Sequence, residues 1–185
     1  MGWMLSRTEV IVICYPFCSS EERAIIEKYL GVNLEVHASF VDHGYLPPHR
    51  LYDFDRMQYR SEDVISFISS QTSPSTGSRL IVAIIKGDGY VYGYNYVFGH
   101  ADPRRKVCAV YTARIYSENT GVYLERLAKE VIHEIGHLLG LEHCGNKECV
   151  MSFSNNVSDV DRKKPLFCRT CSAKLRARQR DFGFL

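Results

Sequence analysis

The sequence predicts a mixed α/β fold of the α+β type: a twisted mixed sheet with one antiparallel strand, one long helix, and a small cysteine-rich tail. Three observations carry that prediction. In the first half, β-branched apolar runs alternate with helical stretches, a pattern that favours parallel pairing. Next come three apolar runs separated only by short loops, and strands joined in this way can pair antiparallel. Finally, four of the seven cysteines fall within the last 42 residues.

Taken in order, "EVIVIC" (9–14) is a short β-branched run and reads as a buried strand. Ser19 and Ser20 followed by Glu21 and Glu22 open a helix expected to end at Gly31. "LEVHASF" (34–40) alternates in polarity and reads as a second strand, with His37 on the face away from Leu34, Val36, Ala38 and Phe40. Residues 41–60, broken by Pro47 and Pro48, read as an ordered loop bordering a cleft. Ser61 is the expected cap of a second helix over "EDVISFIS", with "QTSPSTGS" as a flexible connector. "RLIVAIIKG", "YVYGYNYVFG" and "KVCAVYTARIY" read as strands, the last two flanking a loop "HADPRR". In the second of these, Tyr90, Tyr92, Tyr94 and Tyr96 alternate and are expected on one face. Thr120 is the expected cap of a long helix that runs to Gly140.

Composition narrows the function classes. The chain has 185 residues, 45% hydrophobic and 24% charged, which suits one soluble domain with a sizeable core. A net charge of +2 argues against wholesale nucleic-acid binding. No run of eighteen apolar residues marks a membrane span. The start of the chain lacks a charged leader and is interrupted by Arg7 and Glu9, so it reads as a first strand and not as a secretion signal. The expected location is therefore the cytoplasm, where clustered cysteines favour metal over disulfides. Cys108 reads as a packed strand residue, and core or loop packing is the default for Cys14 and Cys18.

The long helix carries the chemistry. Leu124, Leu127, Val131, Ile135, Leu138 and Leu139 form one apolar arc, while His133 and His137 fall on the opposite side with Arg126, Lys129 and Glu130. The histidines are thus expected to point into a space the helix does not share with the core. Two imidazoles four residues apart grip one Zn²⁺, and zinc needs a third ligand. Gly140 ends the helix and lets the chain turn, so that His143 returns to the metal. Three neutral imidazoles leave zinc its full charge and an open position, where bound water reaches a pKa of ~7. Glu134, next to His133, is the natural general base for that water and can pass the proton to a leaving amine. The chemistry this supports is hydrolysis of a peptide bond.

With His133, Glu134, His137, Gly140 and His143 in the long HExxHxxGxxH pattern, the chain resembles the metzincin metalloproteases. It looks most like the archaemetzincins, because Cys144 directly follows the third histidine and "CVM" and "CRTC" complete that family's cysteine pattern. The resemblance spans about residues 79–175. It implies a zinc peptidase with a metzincin-like sheet, an active-site helix and a cleft between sheet and tail. It also implies that "YNYVFG" is the antiparallel edge strand on which an extended substrate pairs its backbone. Met151 matches the family's Met-turn methionine beneath the catalytic zinc.

Cys144, Cys149, Cys168 and Cys171 give C-x4-C-x18-C-x2-C, enough for a closed tetrahedral zinc. Adjacent residues in an extended segment point opposite ways, so His143 can face one metal and Cys144 another. A thiolate on the catalytic zinc would weaken it as a Lewis acid, whereas four thiolates make an inert staple. Two zinc ions are therefore expected, one catalytic on His133, His137 and His143, and one structural on the four cysteines. The basic tail, including Arg162, Lys163, Lys164, Arg169, Lys174, Arg176 and Arg178, reads as a solvated face. The competing function class is a zinc-stapled nucleic-acid-binding or scaffold module with a vestigial protease site.

The expectation is thus one catalytic domain over 1–185, with a sheet-and-helix part (1–140) and a loop-dominated cysteine-rich part (141–185). Its partner is a peptide or protein substrate, with no membrane. With no inhibitory segment visible ahead of the catalytic part, restraint is expected from narrow access to the site. The sequence does not specify an oligomeric state.

Overall fold

A computed structural model describes residues 8–72 and 78–181. At its centre is a five-stranded sheet. Strand β1 (Thr8–Tyr15) pairs parallel on one side with β2 (Ala38–Asp42) and on the other with β5 (Ser78–Ile85). Strand β8 (Val107–Tyr111) continues the parallel pairing beside β5, and β7 (Gly99–Asp102) closes the edge antiparallel to β8. The order is β2-β1-β5-β8-β7, a mixed sheet with one antiparallel edge strand. A small second sheet joins β3 (Tyr52–Asp53), β4 (Gln58–Arg60) and β6 (Gly89–Tyr90).

Helices cover both faces, as a largely parallel sheet requires. Val10, Val12, Val82 and Val110 pack under α1 (Ser20–Leu34) and α3 (Thr120–Leu138). Ile81, Ala83, Ile85 and Ala109 alternate to the other face and pack under α2 (Ser61–Gln71). The sequence after α3 adds α4 (Val157–Arg162) and α5 (Arg169–Asp181). No described helix is long and apolar enough to cross a membrane.

Several boundaries differ from the sequence expectation, each for a local reason. Helix α1 passes through Gly31, which faces open space, and ends where Glu35 takes φ 57° and its N–H returns to the Gly31 carbonyl. Leu34 is therefore helical and buried, and the second strand begins only at Ala38. Asn119, not Thr120, caps α3, its side chain accepting from the Val122 N–H. Ser61 is the first residue of α2 and caps nothing; its hydroxyl instead accepts from the Tyr111 phenol at 2.9 Å.

The largest correction concerns residues 90–102. The tyrosine-rich run is not a strand: beyond β6 it makes one isolated bridge among the described residues, Gly89 to Val97, and it turns at Gly93 with φ 87°. Tyr92 stands 94% exposed, while Tyr90 lies under the Arg56 guanidinium, so the four tyrosines share no face. The edge strand instead spans Gly99–Asp102, so that all but its first residue lie in the stretch expected to be a loop. The tail, expected to be loop-dominated, holds two helices, with Cys171 and Leu175 of α5 buried. Cys14 and Cys18, expected as packed thiols, are joined by a disulfide at the end of β1. Cys108 is free and fully buried, and burial pushes its thiol well above the usual range. Most of the expected connector over 71–78 lies outside the described residues.

Candidate active site

Helix α3 starts at the C-terminal ends of the parallel strands, where Tyr123 meets Lys86, and runs back along the sheet. Its apolar stripe, Leu127, Val131 and Ile135, is fully buried as expected. The opposite face is buried too: His133 is 6% exposed and Glu134 4%. As expected, the histidines still open onto a space outside the core, since His133, Glu134 and His137 line a cleft. Val150 and Met151, both 0% exposed, belong to the same core cluster and cover that face.

The helix ends in a paired-bond motif. Gly140 N–H donates to the His137 carbonyl and Leu141 N–H to the Gly136 carbonyl, with Gly140 at φ 82°. This turn sends the chain back so that His143 stands beside the other two imidazoles. Ring centroids of His133, His137 and His143 are 4.7, 5.4 and 4.8 Å apart pairwise. His133 Nδ1 is 2.7 Å from the Val150 carbonyl oxygen and His137 Nδ1 is 2.8 Å from that of Leu141. A carbonyl accepts, so each Nδ1 carries the proton and each Nε2 keeps its lone pair.

Those two Nε2 atoms are 3.1 Å apart. Two zinc–nitrogen bonds at a tetrahedral angle would put them about 3.4 Å apart, so the donor set fits that ion closely. Burial pushes His133 well below its ordinary pKa, with Lys163 and His137 adding to the effect, and it lowers His137 and His143 as well. All three therefore offer the neutral form that metal binding requires. The Glu134 carboxyl lies against Gly99, where a Cβ would come within 2.4 Å of Oε1. Burial raises its pKa well above the carboxylate range; Glu130 adds to this and Lys163 opposes it. These groups line a cleft of about 640 Å³ between the edge strand on one side and the 140–155 segment on the other.

The profile of peptidase family M54 matches residues 23–177. The chain belongs to peptidase family M54. An archaemetzincin from Aeropyrum pernix is 49% identical over 130 residues, covering 70% of this chain and 71% of its own. One from Saccharolobus solfataricus is 36% identical over 162 residues, covering 83% and 87%. Among solved structures, the archaemetzincin of Methanopyrus kandleri superposes with a TM-score of 0.83 at 28% identity, covering 95% of this chain and 97% of that one. A zinc-dependent peptidase from Methanocorpusculum labreanum gives 0.80 at 27% identity, covering 90% and 99%. This M54 chain is accordingly a zinc metallopeptidase of the archaemetzincin type.

The second cluster of the M54 chain lies apart from the histidines. Cys144 and Cys168 sulfurs are 3.8 Å apart and those of Cys149 and Cys171 3.7 Å. Four thiolates at ~2.3 Å around one tetrahedral zinc would sit about 3.8 Å from each other, so this cluster also fits a metal. Burial works against ionising Cys168, but the Cys171 N–H and the neighbouring thiols bring it down to about 7.

Sequence reasoning missed three participants of the M54 site. His100 on β7 lines the cleft, its Nδ1 3.2 Å from the Ser61 hydroxyl. Lys163, read as part of a solvated basic face, is buried and donates to Glu130 at 2.9 Å. Glu130, placed by helical spacing on the histidine face but given no role there, is buried with it. Only Glu130 left a trace in sequence, one helical turn before Glu134.

Proposed function

We propose that this peptidase cuts peptide bonds with His133, His137 and His143 holding the catalytic zinc and Glu134 handling the proton. The observation that carries this reading is the convergence of the two free Nε2 atoms at 3.1 Å beside a buried carboxyl in an open cleft. Zinc held there supplies a Lewis acid for the scissile carbonyl and lowers the pKa of water to ~7. Glu134 takes a proton from the attacking water and delivers it to the departing amine, a role its raised proton affinity suits. Edge strand β7 offers free backbone groups to an extended substrate, which pairs there as an added strand. His133 and His137 keep their orientation because the carbonyls of Val150 and Leu141 hold the far side of each ring.

Cys144, Cys149, Cys168 and Cys171 hold a second, structural zinc in this reading, giving two ions per chain. That staple ties α5 to the 144–149 loop and so fixes His143 from behind. The chain acts as one catalytic unit over 1–185, with its cysteine-rich part after Gly140, and works in the cytoplasm. The alternative of a nucleic-acid-binding module gains little, since Arg162, Lys163 and Lys164 are each paired with an acid.

The test is digestion of a mixed peptide library by zinc-loaded protein, with Glu134→Ala as control. Cleavage is expected from the wild type alone. If neither protein cuts while both retain zinc, the catalytic reading fails and the scaffold reading takes its place.

A further inference from the structure

The cleft contains a polar feature that hydrolysis does not use. Lys163 Nζ donates to Glu130 Oε1 at 2.9 Å, and the two side chains are only 1% and 3% exposed, yet both line the cleft. An ammonium has three N–H groups, and only this one bond is made to it among the described residues. The second oxygen of Glu130 accepts no hydrogen bond from the described residues and is not fully buried. Ser154, which lines the same cleft, has a buried hydroxyl with no hydrogen-bond partner among the described residues. A buried polar group without a partner is costly, so such a floor favours an occupant that completes its hydrogen bonds.

Strand direction indicates which part of a substrate arrives there. Helix α3 runs opposite to β8, and β7 is antiparallel to β8, so α3 and β7 run the same way. A peptide adding to β7 in the antiparallel sense, the more stable pairing, runs opposite to both. Gly99 marks the scissile position, because it touches the Glu134 carboxyl. The peptide beyond the cut therefore heads toward the N-terminal half of α3, where Glu130 lies one turn before Glu134.

We propose that Glu130, Lys163 and Ser154 form the pocket for the side chain immediately after the scissile bond, and that they select glutamine or asparagine there. This rests on the peptidase reading above. The pocket's own charges cancel, so a neutral side chain enters without leaving a net charge behind. It must both accept, from the free ammonium N–H groups, and donate, to the free carboxylate oxygen. A carboxamide does both. A leucine satisfies neither group, and a glutamate would bring its charge against Glu130.

The experiment compares peptides identical except for glutamine, leucine, glutamate or lysine after the cut. Two measurements are made: kcat/KM with zinc-loaded wild type, and affinity for zinc-loaded Glu134→Ala by fluorescence anisotropy. Wild type is expected to favour glutamine over leucine by about 10-fold or more in kcat/KM, with the same ranking in affinity. The charge-neutral double variant Glu130→Gln/Lys163→Met is expected to reduce that ratio to about 2-fold or reverse it. Cleavage with leucine or glutamate favoured overturns the pocket assignment and leaves the peptidase intact. Binding that favours glutamine without any cleavage keeps the pocket and removes the peptidase reading. The wild-type ratio decides the matter even if the double variant does not fold.

Discussion

The sulfur of Met151 occupies the space that a side chain at Gly136 would need. A Cβ on Gly136 would lie 2.3 Å from Met151 Sδ and 3.1 Å from the Phe167 ring. Gly136 sits between His133 and His137 on one helix, and the neighbouring Val150 carbonyl holds His133 Nδ1. The segment 150–151 therefore sets both the depth of the helix and the orientation of its first histidine. Gly136→Ala is expected to cost about 1–3 kcal/mol by overpacking and to weaken zinc retention at the histidines. Thermal unfolding with zinc analysis of the dialysed protein checks this. An unchanged melting temperature together with full metal content would contradict it.

A second glycine acts on the carboxyl. Gly99→Ala would place a methyl group 2.4 Å from Glu134 Oε1, so the carboxyl must swing away from the edge strand. Peptidase activity is expected to fall by about 10²-fold, the scale of a misplaced proton-transfer group, with zinc content unchanged. Activity close to wild type would mean that Glu134 needs no support from that wall.

The cysteine cluster is expected to behave as a fold element. Cys171→Ala should lower the zinc content from two ions per chain to one and lower the melting temperature. Structural zinc contributes on the order of 10 kcal/mol in small metal-dependent modules, and a staple on a larger domain contributes part of that. A variant with one zinc and wild-type stability would show that α5 is held by packing alone.

The Glu130–Lys163 pair makes an energetic prediction separate from specificity. Lys163→Met strands a buried carboxylate and is expected to cost about 3–5 kcal/mol, while the double variant with Glu130→Gln should cost less than that single change. Urea unfolding of the three variants and wild type forms the cycle. Additive losses would deny the coupling.

The disulfide has a simple check. Unfolded, metal-stripped chains should show five reactive thiols before reduction and seven after, because Cys14 and Cys18 are joined. Seven thiols from the outset would place these two residues back among the packed thiols.

Much of the architecture could be read in advance where local pattern and burial agree. Strands β5 and β8 are apolar runs buried on both faces, β1 alternates buried with half-buried residues, and α3 has an uninterrupted apolar stripe. The errors cluster where the local signal was ambiguous. Residues 90–98 have the composition of a strand, but Gly93 takes a positive φ and breaks the run. His100–Asp102 looks like a loop because two polar residues flank one small one ahead of a proline, and it becomes a strand only because β8 provides a partner. Gly31 resembled a terminator but sits harmlessly on the solvent side of α1, and the helix ran on to bury Leu34.

What the sequence alone determined is the chemistry at short range. His133 and His137 share a helical face because they are four residues apart, and Gly140 turns the chain because it alone accepts φ 82° without strain. The spacing of the four cysteines supplied a second set of soft ligands. The tertiary structure decided what surrounds them. Met151 closes over the histidine face, Gly99 makes room for Glu134, and Lys163 reaches Glu130 across 33 positions of chain. None of these contacts has a sequence period, because each depends on how distant elements pack. Helical spacing is set by backbone geometry, whereas a buried ion pair across the fold exists only once the chain around it is in place.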